Sequence, residues 1–418
     1  MEKSAAAPLL EDVLLEILAR VTDPIALFRC ATVCRQWRAL VIDPTFLNRR
    51  WPENAPDRSF LLGFIVVQSP GVLEQITGIW PNRLFFLPAP PSQHGPPRRF
   101  LGSHFPVLLD GGGFFPGHVM VPLTSRHGIL LVHFRPQGFS FSSADPEPNI
   151  VKLAVYNMFS GAYRVLPPLE CHGFSDIVCS AVLTSADCRR DPQYSAFFFK
   201  VIIIGTGEQL YNLYSFSSSE ASWSAPIECR NIPKRLSVYK ITMPCGTVVC
   251  QGGAHWLFRD SSHLYTLSVS LDTHQVSFVK LPTSISLQNM FGSLQLCAGT
   301  DGTLTLLAMC GRRLEIWTKE NNEPQTLHDD TRWLWTQVIN TLVPSRICPE
   351  RWMYMGVTSG TSLLLGSQWC TYTIDLETMT LEEETGQFRF LAHRSSVPFE
   401  MDWPSFFTSR LNNHMDFV

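Results

Sequence analysis

Two hydrophobic periodicities divide the chain. Over residues 9–47 apolar side chains recur at three-to-four spacing: Val13, Leu14, Ile17, Leu18 and Val21 make one stripe, with Glu11, Asp12, Glu16 and Arg20 mostly off it. That is the pattern of an amphipathic helix. Its acidic first turn and basic last turn suit the helix dipole. Thr22-Asp23-Pro24 reads as a stop and a restart, with Asp23 as N-cap and Pro24 at the first helical position. Ile25, Leu27, Phe28, Ala31 and Cys34 continue a second helix, and Trp37, Leu40 and Val41 occupy a third that Asp43-Pro44 closes.

Beyond about residue 58 the helical period fades. Short apolar runs at 60–67, 84–87, 128–134, 151–156, 197–204, 247–258, 304–309, 363–365 and 372–376 alternate with Gly, Pro, Ser and Asp. They predict antiparallel strands joined by turns. Pro-rich 88–97 is expected to be a stiff surface loop, and Glu382-Glu383-Glu384 a solvated turn. A weak repeat runs through this region. Anchors at Tyr163, Trp223, Phe278 and Leu381 stand 60, 55 and 103 residues apart, with a skipped copy expected at Leu314-Glu315-Ile316-Trp317. A period of roughly fifty to sixty residues of strand is the size of a propeller blade. The expected architecture is mainly β with a small all-α N-terminal module: three helices, then one β-propeller of about six blades, seven at most.

Composition narrows the function classes. The chain has 418 residues, 45% hydrophobic and 17% charged, with net charge −3. This is ample material for a core, and no long-range field draws the chain to nucleic acid or an anionic membrane. No apolar run approaches the ~18 residues of a bilayer span, and residues 1–8 lack the pattern of a secretory signal. Twelve scattered cysteines without that signal suggest reduced thiols and a cytoplasmic or nuclear setting. Cys30/Cys34 and Cys245/Cys250 lack a matching second pair for zinc. Gly205-x-Gly207 lacks the third glycine of a dinucleotide loop, Gly111-Gly112-Gly113 lacks a phosphate-loop sequel, and no serine elbow or His-Glu-x-x-His occurs. His255, in Gly-Gly-Ala-His-Trp, is expected to be a strand residue facing a neighbour rather than a base. Neither cofactor nor metal is implied.

The helical segment is also too small to satisfy itself. Eighteen Leu, Ile, Val, Phe and Trp side chains fall within 9–47, and three short helices cannot bury them all against one another. Some of this surface must meet another body, as in helix-in-groove recognition.

These residues carry a resemblance. Leu9-Leu10-Glu11-Asp12-Val13-Leu14-Leu15-Glu16-Ile17-Leu18-Ala19-Arg20, the block Val33-Cys34-Arg35-Gln36-Trp37-Arg38-Ala39-Leu40 and Asp43-Pro44-Thr45-Phe46 resemble an F-box, with Leu10 where the family usually has proline. Ser125-Arg126-His127-Gly128-Ile129-Leu130-Leu131, Val155-Tyr156-Asn157, Gly252-Gly253-Ala254-His255-Trp256-Leu257, Leu314-Glu315-Ile316-Trp317 and Ile374-Asp375-Leu376-Glu377-Thr378 are similar to the F-box-associated, kelch-like propellers of plant F-box families, especially of grasses. The resemblance implies an organisation of 1–8 disordered, 9–50 F-box, 51–59 linker, 60–410 propeller and 411–418 tail. It implies a non-catalytic substrate-recognition adaptor of a Skp–cullin–F-box ubiquitin ligase. Leu9, Leu10, Val13, Leu14, Ile17, Leu18, Val33, Trp37 and Leu40 would serve core and linker interface, and a protein target would bind the propeller. Aromatic segments at Phe114-Phe115 and Trp333-x-Trp335 are candidate target-binding loops. Two alternatives stay open: an F-box scaffold or decoy outside a ligase, and a propeller enzyme such as a glycan hydrolase.

Overall fold

The computed structural model describes residues 11–52, 58–67, 83–88, 108–110, 118–136, 150–170, 176–187, 198–206, 211–230, 232, 247–259, 263–281, 294–298, 302–310, 313–319, 335–342, 355–358, 362–366, 371–375, 381–384 and 396–411. The N-terminal module holds four helices, α1 (Glu11–Ala19), α2 (Pro24–Ala31), α3 (Arg35–Ile42) and α4 (Pro44–Arg50). The two Asp-Pro pairs explain two of its boundaries. Asp23 accepts hydrogen bonds from the amides of Ile25 (3.2 Å) and Ala26 (3.0 Å), and Asp43 from those of Thr45 (2.8 Å) and Phe46 (3.2 Å). Each caps a helix whose first residue is proline. Asp43-Pro44 therefore ends α3 by starting α4, which corrects the expected count of three helices.

Strands follow in antiparallel sheets. β1 (Ser59–Val67), β2 (Arg83–Pro88) and β3 (Leu108–Asp110) belong to one. The next contains β4 (His118–Arg126), β5 (Ile129–Pro136), β6 (Ile150–Asn157) and β7 (Tyr163–Val165), with β8 (Leu169–Glu170) also on β6. Then come β9 (Asp176–Thr184), β10 (Phe199–Thr206), β11 (Tyr211–Ser217), β12 (Ser222–Trp223) and β13 (Ile227–Glu228). β14 (Val248–Cys250), β15 (Gly253–Arg259), β16 (Leu264–Ser270) and β17 (Val276–Lys280) form a sheet. So do β18 (Leu294–Ala298), β19 (Leu304–Cys310), β20 (Arg313–Lys319) and β21 (Trp335–Leu342). β22 (Met355–Thr358), β23 (Ser362–Gly366), β24 (Thr371–Asp375) and β25 (Leu381–Glu384) form the last consecutive one. Finally β26 (Ser396–Asp402) returns to pair with β1, and α5 (Trp403–Leu411) leaves directly from it.

The architecture is mainly β: a helical module and a β-propeller. Five sheets are built from consecutive strands. The remaining one is composite, in the order β26-β1-β2-β3, and joins strands from opposite ends of the described chain. A sequence period describes only blades built of consecutive strands: against the expected six blades, seven at most, the described residues give five such sheets, and the composite one lies outside the period.

The repeat anchors have a common place. Tyr163, Trp223, Phe278 and Leu381 each lie on the fourth strand of a sheet, opposite Tyr156, Phe216, Leu267 and Ile374 on the third. The copy expected at 314–317 falls instead on a third strand, β20. The run 247–258 is two strands, split by a turn in which Gln251 and Gly252 have φ of 50° and 69°. Glu382-Glu383-Glu384 lies in β25 rather than in a turn. The triple glycine 111–113, the proline-rich stretch beyond Pro88 and the 1–8 segment fall outside the described residues.

α5 is the element the sequence pattern did not announce. The boundaries 60–410 and 411–418 ran the propeller through it. Residue Trp51, assigned to a linker, is fully buried. A single hydrophobic cluster contains Leu18, Leu27, Val41, Phe46 and Trp51 of the module, Trp403, Phe406 and Phe407 of α5, and Leu62, Phe159 and Phe399 of the propeller.

Candidate functional site

α1 shows two apolar faces. Leu14 and Leu18, one turn apart, are buried, whereas Val13 and Ile17, also one turn apart, are 45% and 47% exposed. In the turn between α2 and α3, Val33 is 69% exposed. Large apolar side chains so placed on a small module are the kind of surface a partner covers. The module is held still beneath them. Exposed Glu16 pairs with Arg20 (3.5 Å) and Arg49 (3.4 Å), and Arg50 donates to the carbonyl oxygen of Thr22 (2.7 Å). Surface pairs of this kind contribute under ~1 kcal/mol each, so the anchoring is done by packing.

That packing is aromatic. Phe28 of α2 meets Phe406 and Phe407 of α5 with ring centroids 5.5 and 5.6 Å apart. Trp51 stacks on Trp403 at 6.0 Å and 18°. On the other side of α5, Phe159 meets Phe406 edge-on at 5.4 Å and Phe399 of β26 at 5.9 Å. α5 is thus a layer between module and propeller, and such pairs contribute ~0.5–1.5 kcal/mol each beyond their area.

One carboxylate fastens the layer. Asp402 accepts from the Ser405 amide (2.9 Å) and hydroxyl (2.7 Å), capping α5. Its other oxygen takes Arg58 Nε at 2.8 Å, and Arg58 Nη1 donates to the Trp51 carbonyl oxygen at 2.9 Å. The Trp403 amide returns a bond to the Arg58 carbonyl oxygen (3.0 Å). Burial opposes the Asp402 charge, but His127 and Arg58 outweigh it and hold the carboxyl below its ordinary range. α4, β1, β26 and α5 therefore meet at one buried ion pair.

Two of the propeller segments quoted for their resemblance, 125–131 and 155–157, build the floor. At the β4–β5 turn, His127 and Gly128 have φ of 46° and 84°. A Cβ on Gly128 would stand 2.1 Å from the Phe159 ring. Asn157 donates to Ser409 of α5 (3.0 Å) and accepts from the amides of Phe159 (3.0 Å) and Ser160 (3.1 Å). Arg126 Nη2 pairs with Asp187 at 2.6 Å. Asp187 also accepts from the Thr184 amide (2.9 Å) and hydroxyl (3.2 Å), and His127 Nδ1 donates to that hydroxyl (2.8 Å). Burial disfavours the Asp187 charge, yet Arg126 and His127 outweigh it and bring the carboxyl down to about 2. Burial, then the Arg126 charge, keeps His127 below its ordinary range.

Of the nine residues expected at core and linker interface, Leu9 and Leu10 lie outside the described residues. Leu14 and Leu18 are core, Trp37 and Leu40 pack half-buried against it, and Val13, Ile17 and Val33 are exposed. Phe114, Phe115 and Trp333 also lie outside the described residues, while Trp335 opens β21 opposite Lys319. Gly205 pairs with Asn212 across the β10–β11 hairpin, so the Gly-x-Gly segment leads into a strand and not a dinucleotide-binding helix. His255 lies on β15; it donates from Nε2 to the Cys250 carbonyl oxygen (3.2 Å) and accepts at Nδ1 from Ser268 (2.7 Å). Burial drives it down to about 4.

Comparison with known proteins places these two parts. A family model described as F-box-like matches residues 11–51, the four helices and Trp51. A second, described as Domain of unknown function (DUF7595), matches residues 118–367, more than half of the chain. The chain belongs to the DUF7595 family. The DUF7595 match begins at β4 and ends just past β23, so it omits the composite sheet and α5. No curated protein matches the chain. Among solved structures it is similar to the Dos1 propeller, with 11% identity, TM-score 0.38, and 67% of this chain and 62% of that one covered. It is similar also to the GH93 α-L-arabinofuranosidase of Fusarium graminearum with arabinobiose (10%, TM-score 0.34, 65% and 84% covered) and to a Hadza microbial sialidase (11%, 0.35, 64% and 55%). The chain thus spans less than two thirds of the Dos1 structure it matches.

Proposed function

We propose that this protein is the substrate-recognition adaptor of a Skp–cullin–F-box ubiquitin ligase. The F-box-like module docks on a Skp-type linker, which brings a cullin, and the propeller holds a protein target. The observation that carries this is α1: its Leu14/Leu18 face is anchored inward while Val13 and Ile17 stand exposed on a module matching an F-box-like model. Such a protein makes and breaks no covalent bond. It raises the effective concentration of target near a charged conjugating enzyme. On the resemblance of its propeller segments we group it with kelch-like plant F-box proteins acting in the cytoplasm or nucleus.

The test uses the full chain and purified Skp-type linker. Val13→Asp with Ile17→Asp removes two contacts of ~1.5–3 kcal/mol each, so linker affinity falls at least about a hundredfold while the thermal midpoint holds. Unchanged affinity rejects the adaptor assignment. Capture of linker without cullin by the wild-type chain turns the assignment to a scaffold outside the ligase.

A further inference from the structure

We propose that α5 is a clasp through which partner docking on the helical module and closure of the propeller stabilise each other. The partner side of this coupling rests on the adaptor assignment; the intramolecular side does not. Three observations carry it. First, α5 grows directly out of β26, the strand that closes the composite sheet, and the residue at the junction, Asp402, is both its cap and the acceptor of Arg58. Second, Arg58 at the entrance of β1 holds the C-terminal end of α4 through the Trp51 carbonyl oxygen. Arg58 thereby ties the β26–α5 junction, through Asp402, to the end of the module. Third, one hydrophobic cluster runs from Leu27 and Val41 through Phe406 and Phe407 to Phe159 and Phe399.

Two elements that share one buried ion pair and one aromatic layer open together. A ligand that binds only the ordered module then protects the sheet as well, and whatever loosens the sheet weakens the ligand, by the same factor in both directions. The carriers of the signal are α3 and α4, which rest both on α1 and on α5.

Backbone hydrogen exchange on the full chain tests the coupling, with the linker alone as probe. In the free chain, Asp402→Asn is expected to speed exchange of α3, α4 and β1 amides together, about tenfold or more, and to leave β10 and β11 as in the wild type. Adding linker to the wild-type chain is expected to slow exchange across the β1–β26 pairing by a similar factor, and Asp402→Asn to weaken linker binding correspondingly. Phe407→Leu, which keeps the ion pair, serves the same measurements if circular dichroism shows Asp402→Asn unfolded. If β1 exchanges faster while α3 and α4 do not, the clasp is overturned whatever the linker does. If the linker binds but leaves β1 and β26 unprotected, the coupling to docking is overturned. If the free-chain result holds and no linker binds, the clasp stands and the adaptor assignment fails.

Discussion

Gly128 sits at φ 84° with the Phe159 ring where a Cβ would be, so two independent constraints fall on one position. Left-handed backbone disfavours any L side chain there, and the ring cannot retreat from its contacts with Phe399 and Phe406. Gly128→Ala is expected to destabilise the chain by about 2–4 kcal/mol, read as a lower denaturant midpoint; a change within 0.5 kcal/mol of zero would show that the ring yields. His255 works by exclusion rather than fit. Its Nε2 donates to a carbonyl, and because burial favours the neutral ring Nδ1 accepts from Ser268. With the folded value near 4 against an ordinary 6.5, the unfolded chain takes up the proton first. Stability is complete above pH ~6.5 and declines as pH falls towards 4, by about 3 kcal/mol in all. His255→Gln, which can keep both hydrogen bonds, should flatten that decline in urea titrations; parallel curves for the two proteins would remove His255 as its source.

At the scale of elements, what the sequence disclosed followed local chemistry. Asp23-Pro24 and Asp43-Pro44 gave helix starts because capping needs only neighbours, although the second pair was taken for an end alone. α5 carries a similar signal, Asp402 followed by Pro404 and Ser405, yet Trp403, Phe406 and Phe407 give it no polar face of the usual kind. A helix covered on both sides loses the periodicity by which a surface helix is recognised. The Ser125–Leu131 and Val155–Asn157 segments were legible as resemblance but not as the seat of α5, since the contact from Asn157 to Ser409 spans 252 residues. For the candidate partner face, spacing picked out a helix that does carry exposed apolar residues, Val13 and Ile17. It could not divide Leu14 from Ile17, because both lie on apolar positions and the packing of α1 on α3 and α4 decides which side is inward.

For the whole molecule, the fold class and the order of its two parts were readable, and the composite sheet was not. A repeat is visible where each copy is contiguous, and this sheet takes its members from residues 59–110 and 396–402. The same arrangement makes the module part of the propeller's stability. A fragment of residues 58–418 loses Phe28 and Trp51 from the aromatic layer and leaves the α5 rings facing water. It is expected to give a β-dominated circular dichroism spectrum, to melt several degrees lower, and to self-associate on size-exclusion chromatography. A monomeric fragment with an unchanged melting temperature would mean that the helices add nothing to the ring.

The Arg58–Asp402 bond joins residues 344 positions apart, and synthesis proceeds in one direction. At ~5–20 residues per second, the helices leave the ribosome about 20–70 seconds before the aromatic platform they rest on has been made. Through that interval Phe28 and Trp51 lack the rings they pack on, so a nascent chain is expected to need shelter from chaperones or from a partner that reaches it early, and a message cut short before α5 yields a module with nothing to stand on.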